Sequence, residues 1–226
     1  MSDHQSSRAE VLATLTAAGQ PFELVDSTVF GRDCRFFKNA PATLRDLYSD
    51  NASDLEFLVY EDERLTYAEA YSKSAQIAHL LIQQYGINKG DRVAISMRNY
   101  PEWVLSFMAV TSIGGIAVAM NSLWRPDEMA YGLIDSGAKV LLADEERLAR
   151  FAQIENTVDV QTIAIRTSAY PNSPELSVLL EQQANAHGLL AMPDQRPHAE
   201  DDATILYTSG STGPVSYTHL TLPTKA

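Results

Sequence analysis

The chain has 226 residues, enough for one large domain or most of two, and its 45% hydrophobic content excludes disorder throughout. Lys and Arg number 17 against 29 Asp and Glu, a formal charge of −12, which argues against nucleic acid or an anionic membrane as a partner recruited by charge. Cys34 is the lone cysteine, so no internal disulfide forms, and a reducing, cytoplasmic compartment fits.

The N-terminus has no basic segment leading into an apolar core, so no signal peptide is read there. Over the first twenty residues, Val11, Leu12, Leu15 and Ala18 predict an amphipathic helix closed by Gly19, Gln20 and Pro21. A loop-rich segment is expected from there to about residue 41. Thr66 to Glu69 is a capping-box pattern. It opens a helix whose stripe is Ala70, Ile77, Ala78, Leu81, Ile82 and Tyr85, closed by Gly86. A strand is predicted over 91–97, then a helix with Pro101 as its first residue and Glu102 complementing its dipole. Residues 116–119 read as a short apolar strand. The longest apolar stretch, around 113–120, is far too short to span a bilayer.

The pattern then repeats. Pro126, Asp127 and Glu128 start a helix ending at Gly137. Residues 139–143 are a strand, and Asp144 caps a helix expected to reach residue 154. A strand over 162–165 precedes a helix from Ser173, Pro174 and Glu175 to about Gln183. Residues 187–202 read as a surface connection, and 203–207 as the last strand. Strand–helix alternation with β-branched strands predicts an α/β fold: a mostly parallel sheet with helices on both faces. Ligands of such sheets bind at the carboxyl ends of the strands.

The last strand runs directly into Thr208, Ser209, Gly210, Ser211, Thr212 and Gly213. Two glycines let main-chain N–H groups approach an anion, and the hydroxyls add donors, so the loop suits a triphosphate. Ser/Thr/Gly runs are more often linkers, but linkers rarely hang directly from a buried strand. Neither a Walker A loop nor a G-x-G-x-x-G fingerprint is present.

The segment from Asp202 to Pro214 resembles the AMP-binding signature of the adenylate-forming superfamily, which includes acyl-CoA synthetases, luciferases and peptide-synthetase adenylation domains. Tyr207 to Gly213 match that pattern throughout. Upstream, Leu65 to Glu69, Gly90 to Ile95, Asn99 to Trp103 and Asn121 to Met129 resemble family segments in order and spacing. The last of these is similar to fatty-acid–CoA ligases. The resemblance covers roughly residues 30–214 and implies a truncated N-terminal domain of the adenylate-forming fold. The organisation expected is a lead-in over 1–30 and a partial AMP-binding domain over 31–214. Residues 215–224 resemble a translated sequencing adapter, so 215–226 are expected to be a non-native tail and His219 is no site residue.

The function so implied is ATP-dependent activation of a small-molecule carboxylic acid, a fatty acid by preference, through an acyl-adenylate to the acyl-CoA. ATP, Mg²⁺ and coenzyme A are the cofactors implied for the parent enzyme. Residues 208–213 would hold the β- and γ-phosphates, and Thr208 would also help place Mg²⁺. No catalytic residue is assigned, and the chain by itself is expected to be incomplete and inactive. An aryl-acid ligase, a peptide-synthetase adenylation domain and a non-catalytic nucleotide-binding fragment remain the alternatives. Peripheral membrane contact and homo-oligomerisation stay open.

Other residues carry the plainer reading. His79 is expected to be a packed or surface histidine. His187 and His198 lack zinc-ligand spacing. Asp144, Glu145 and Glu146 look like helix capping. Trp103 and Trp124 fit either a fatty-acid channel or a helix packed on the sheet, with packing preferred. Asp201 and Asp202 read as a solvated strand entry.

Overall fold

The structure, a computed structural model, describes residues 7–29 and 31–207 and the backbone of 217–220. Ser7 opens α1 (Arg8–Leu15) through a capping box with Glu10. The helix ends earlier than its apolar pattern predicts, and Val11, Leu12 and Leu15 remain exposed. Beyond it lies a correction. The segment expected to be loop-rich contains an antiparallel pair, β1 (Leu24–Val29) with β2 (Arg32–Phe37). Asp26, Ser27, Thr28, Asp33 and Arg35 leave these strands little apolar alternation, so pairing here gives no hydrophobic signal. Thr43 caps α2 (Leu44–Asp50), and a second hairpin follows, β3 (Glu56–Tyr60) with β4 (Glu63–Thr66).

From Thr66 onward local signals and structure agree closely. The Thr66 hydroxyl accepts the Glu69 N–H and the Glu69 carboxylate accepts the Thr66 N–H, opening α3 (Tyr67–Tyr85). Gly86 closes it at φ 62°, a left-handed conformation that costs glycine least. Then come β5 (Arg92–Ser96), α4 (Pro101–Ser112), β6 (Ile116–Ala119) and α5 (Pro126–Ser136). The Arg92 guanidinium donates to the Ser136 and Gly137 carbonyls, satisfying the end of α5. β7 (Val140–Asp144) leads into α6 (Glu145–Phe151), which stops short of residue 154 and gives way to a 3₁₀ turn at Glu155–Thr157. β8 (Gln161–Ile165), α7 (Leu176–His187) and β9 (Thr204–Tyr207) complete the pattern.

β9, β6, β5, β7 and β8 lie side by side in that order, all parallel, and β10 (Tyr217–Leu220) pairs antiparallel with the outer edge of β9. Helices cover both faces, as alternation predicts. On one face Val93, Ile95, Val140, Leu142, Ile163 and Ile165 pack under α3, α4 and α7. On the other, Ala94, Val118, Leu141, Ala143, Ala164 and Ile205 pack under α5 and α6.

The connection before β9 is more than a surface strap. Met192 joins the core under α3. The buried Arg45 guanidinium donates to the Pro193 and Gln195 carbonyls, and the Gln76 side chain bonds both backbone groups of Leu190. His79 lies beside it, its Nε2 2.7 Å from the Ala191 carbonyl, in a packing role as expected. Asp201 is not simply solvated: it pairs with Lys89 at 2.7 Å and accepts the His198 N–H.

Candidate functional site at the carboxyl edge of the sheet

The carboxyl ends of the five parallel strands face one edge. Chain connections leave β5 and β7 in opposite directions, which makes the gap between them the topological switch point. That gap is bridged by protein groups. Asp144, the last residue of β7, is 4% exposed; one carboxylate oxygen accepts the Arg98 N–H at 2.9 Å and the other the Arg147 N–H at 3.2 Å. Arg147 also pairs with it at 3.3 Å. The expected capping role therefore holds, with an inter-strand tie added.

The same helix holds the β6–α5 connection. Arg147 Nε donates to the Ser122 carbonyl at 2.9 Å, and Arg150 Nη1 to the Ser122 and Trp124 carbonyls at 2.8 and 2.9 Å. The sequence alone does not single out these arginines. Their one local signal is a cation near a helix carboxyl end, and Arg150 occupies the last turn of α6. The side chain of Trp124 is buried against Gly132, where an added Cβ would lie 2.5 Å from its Cζ3, so Trp124 packs the sheet. Trp103 is half-buried and stacks on Phe107 at 5.5 Å.

β9 ends at the same edge. Its last residue, Tyr207, donates its phenol to Asp135 Oδ2 at 2.9 Å, with the Gly132 carbonyl 3.3 Å away, and meets the Trp124 ring edge-to-face at 5.3 Å. Burial, and then the Asp135 carboxylate, push that phenol well above its ordinary value, so it stays protonated and donating near neutrality. Thr208, Ser209, Gly210, Ser211, Thr212 and Gly213, including Thr208 as the expected contributor to Mg²⁺ placement, lie outside the described residues. The strand that delivers them is described to its end.

At the opposite side of the sheet, Arg166 follows β8 with φ 56°. Its guanidinium bonds Glu63 and Glu102 and lies over the Tyr60 and Tyr100 rings, clasping the second hairpin to the start of α4. Clefts of about 590 and 520 Å³ lie against β1 and β2, and neither is lined by a residue of β5 to β9. Size alone therefore points away from the edge where β9 ends. Among the described residues no group of three or more His, Cys, Asp or Glu could hold a metal ion. Among them also, no helix is long and apolar enough to cross a membrane.

A family profile described as AMP-binding enzyme matches residues 48–215. The chain belongs to the AMP-binding enzyme family. The chain is 30% identical over 221 residues to an acetyl-coenzyme A synthetase of Vibrio vulnificus (strain YJ016), covering 86% of the chain and 34% of the relative. It is 31% identical over 172 residues to a medium/long-chain-fatty-acid–CoA/3-oxocholest-4-en-26-oate–CoA ligase of Mycobacterium marinum, covering 73% of the chain and 30% of the relative. Its fold is similar to that of the anthranilate CoA ligase AuaEII in complex with anthranoyl-AMP. There the TM-score is 0.70 at 24% identity, over 77% of this chain and 34% of the other. The chain thus spans about a third of the length of these relatives.

Proposed function

We propose that the protein to which this chain belongs activates a carboxylic acid with ATP and passes the acyl group to coenzyme A. The observation that carries this reading is the end of β9. It stops at the sheet's carboxyl edge, inside the family match, and the next six residues are the hydroxyl- and glycine-rich run 208–213. Backbone N–H groups and hydroxyls of that run would hold the β- and γ-phosphates, with Thr208 helping to place Mg²⁺. Attack of the carboxylate on the α-phosphorus forms the acyl–phosphate bond and expels pyrophosphate. The coenzyme A thiolate then displaces AMP. Rate in such a displacement comes mainly from positioning and from neutralising charge on the phosphates.

A fatty acid is the proposed substrate, on the resemblance of residues 121–129. The relatives also bear acetyl and anthranilate names, so aryl acids stay in the test. ATP–pyrophosphate exchange by the full-length gene product, with acetate, octanoate, palmitate and benzoate in turn, should show the highest kcat/KM with a fatty acid. Exchange strongest with benzoate would replace that assignment with an aryl-acid ligase. No exchange with any acid would overturn the acid-activation reading. The 226-residue chain spans about a third of its relatives and is proposed to be inactive alone. Calorimetry with ATP and Mg²⁺ on it should give weak binding or none, and robust acyl-CoA formation by it would refute the fragment reading.

A further inference from the structure

We propose that Asp135 is a positioning residue for the phosphate loop, acting through the phenol of Tyr207. This rests on the reading of residues 208–213 as that loop. Pairing of β9 with β6 ends at Leu206 opposite Ala119, and Tyr207 is the last residue of β9. There a side chain adds a second anchor to the strand's own pairing: the Tyr207 phenol on Asp135, and its ring against Trp124. The anchor point is itself fixed. Arg92 caps the end of α5, Arg150 holds the carbonyls just before its start, and the Trp124 ring leaves Gly132 no room for a Cβ.

Asp135 also breaks a local rule. It sits in the last turn of α5, where the negative end of the helix dipole disfavours a carboxylate. A residue held against its local preference is explained when it serves a contact elsewhere, and here the contact is the last described residue before the loop. The exposed carboxylate accepts the phenol's hydrogen bond, so the end of β9 is held from the helix as well as from the sheet.

The test uses Asp135→Ala, Asp135→Asn and Tyr207→Phe in the full-length gene product. In acid-dependent ATP–pyrophosphate exchange, Asp135→Ala and Tyr207→Phe should raise KM for ATP about tenfold while KM for the acid stays unchanged, the expected loss for one hydrogen bond to a charged group. Asp135→Asn keeps an accepting oxygen and should keep most of the wild-type value. Equal rises in both KM values, or a lower melting temperature with ATP KM unchanged, would overturn the proposal. Amide hydrogen exchange of the ligand-free proteins gives a readout without activity. Residues 207–213 should exchange faster in Asp135→Ala, with the rest of the chain unaltered. Unchanged exchange there overturns the latch. Faster exchange in a protein whose wild type activates no acid would sink the function and leave the latch standing.

Discussion

At the scale of single residues, Asp144 shows how one buried carboxylate organises an edge. It caps α6, accepts the Arg98 N–H from the neighbouring strand's end, and faces the buried Arg147 guanidinium. Removing it leaves the Arg147 guanidinium, 4% exposed at its side chain, with Glu146 at 2.9 Å as its remaining carboxylate, and leaves the Arg98 N–H without its acceptor. Asp144→Ala should therefore cost about 3 kcal/mol of stability, from the lost cap on α6 and the buried donors left with one acceptor fewer. Urea denaturation of the single and of the Asp144→Ala/Arg147→Met double variant checks this. The double variant should recover part of the loss, and strict additivity would show that the pair is not coupled. The capping half of this role was legible, because it involves neighbours in sequence. The tie to Arg98 was not, because it exists only once β5 and β7 lie side by side.

The elements divide in the same way. β6 falls where the sequence places it, and α3 and α5 start and stop on their own caps, since capping boxes, N-terminal proline and left-handed glycine act within one turn. Thr66→Ala should lower stability by about 1 kcal/mol, and Thr66→Ser should restore most of it, because the hydroxyl is what accepts the Glu69 N–H. Equal loss in both variants, measured by chemical denaturation, would mean that the threonine methyl and not the cap matters. What sequence could not reveal were the two hairpins. β1 and β2 are largely polar, and β3 and β4 are joined through Glu61 at φ 49° with no glycine to mark the turn. The candidate site follows the same rule. Residues 208–213 carry their signal in composition alone, whereas Asp135 and the arginines of α6 reach the carboxyl edge only through tertiary packing.

For the molecule as a whole, several carboxylates share one bias. Arg166 donates to Glu63 and holds its carboxyl below the usual range. At Asp91 burial pushes upward, but Lys139 at 2.8 Å and the Asn88 N–H outweigh it, and the group also sits low. A carboxyl lowered by folding takes up protons more readily in the unfolded chain, so stability rises with pH through this range. The contribution is present above the ordinary carboxylate pKa, about 4, and is lost as the pH falls through the lowered folded values. Urea midpoints measured from pH 7 to pH 3 should fall at the acid end, less steeply in Arg166→Met; a flat profile would contradict this. The central sheet has a different consequence. Both of its faces are apolar, so polarity cannot tell a strand which way to turn. Volume can: β5, β7 and β8 show Val93, Ile95, Val140, Leu142, Ile163 and Ile165 to α3, α4 and α7, but mainly Ala94, Ala143 and Ala164 to α5 and α6. A slip of one residue would expose no apolar group to water, yet it would drive isoleucine into alanine-sized space on one side and open voids on the other. Strand register in this sheet is written as a size code, and exchanging Ala94 with Ile95 would garble it without changing the hydrophobicity of the chain.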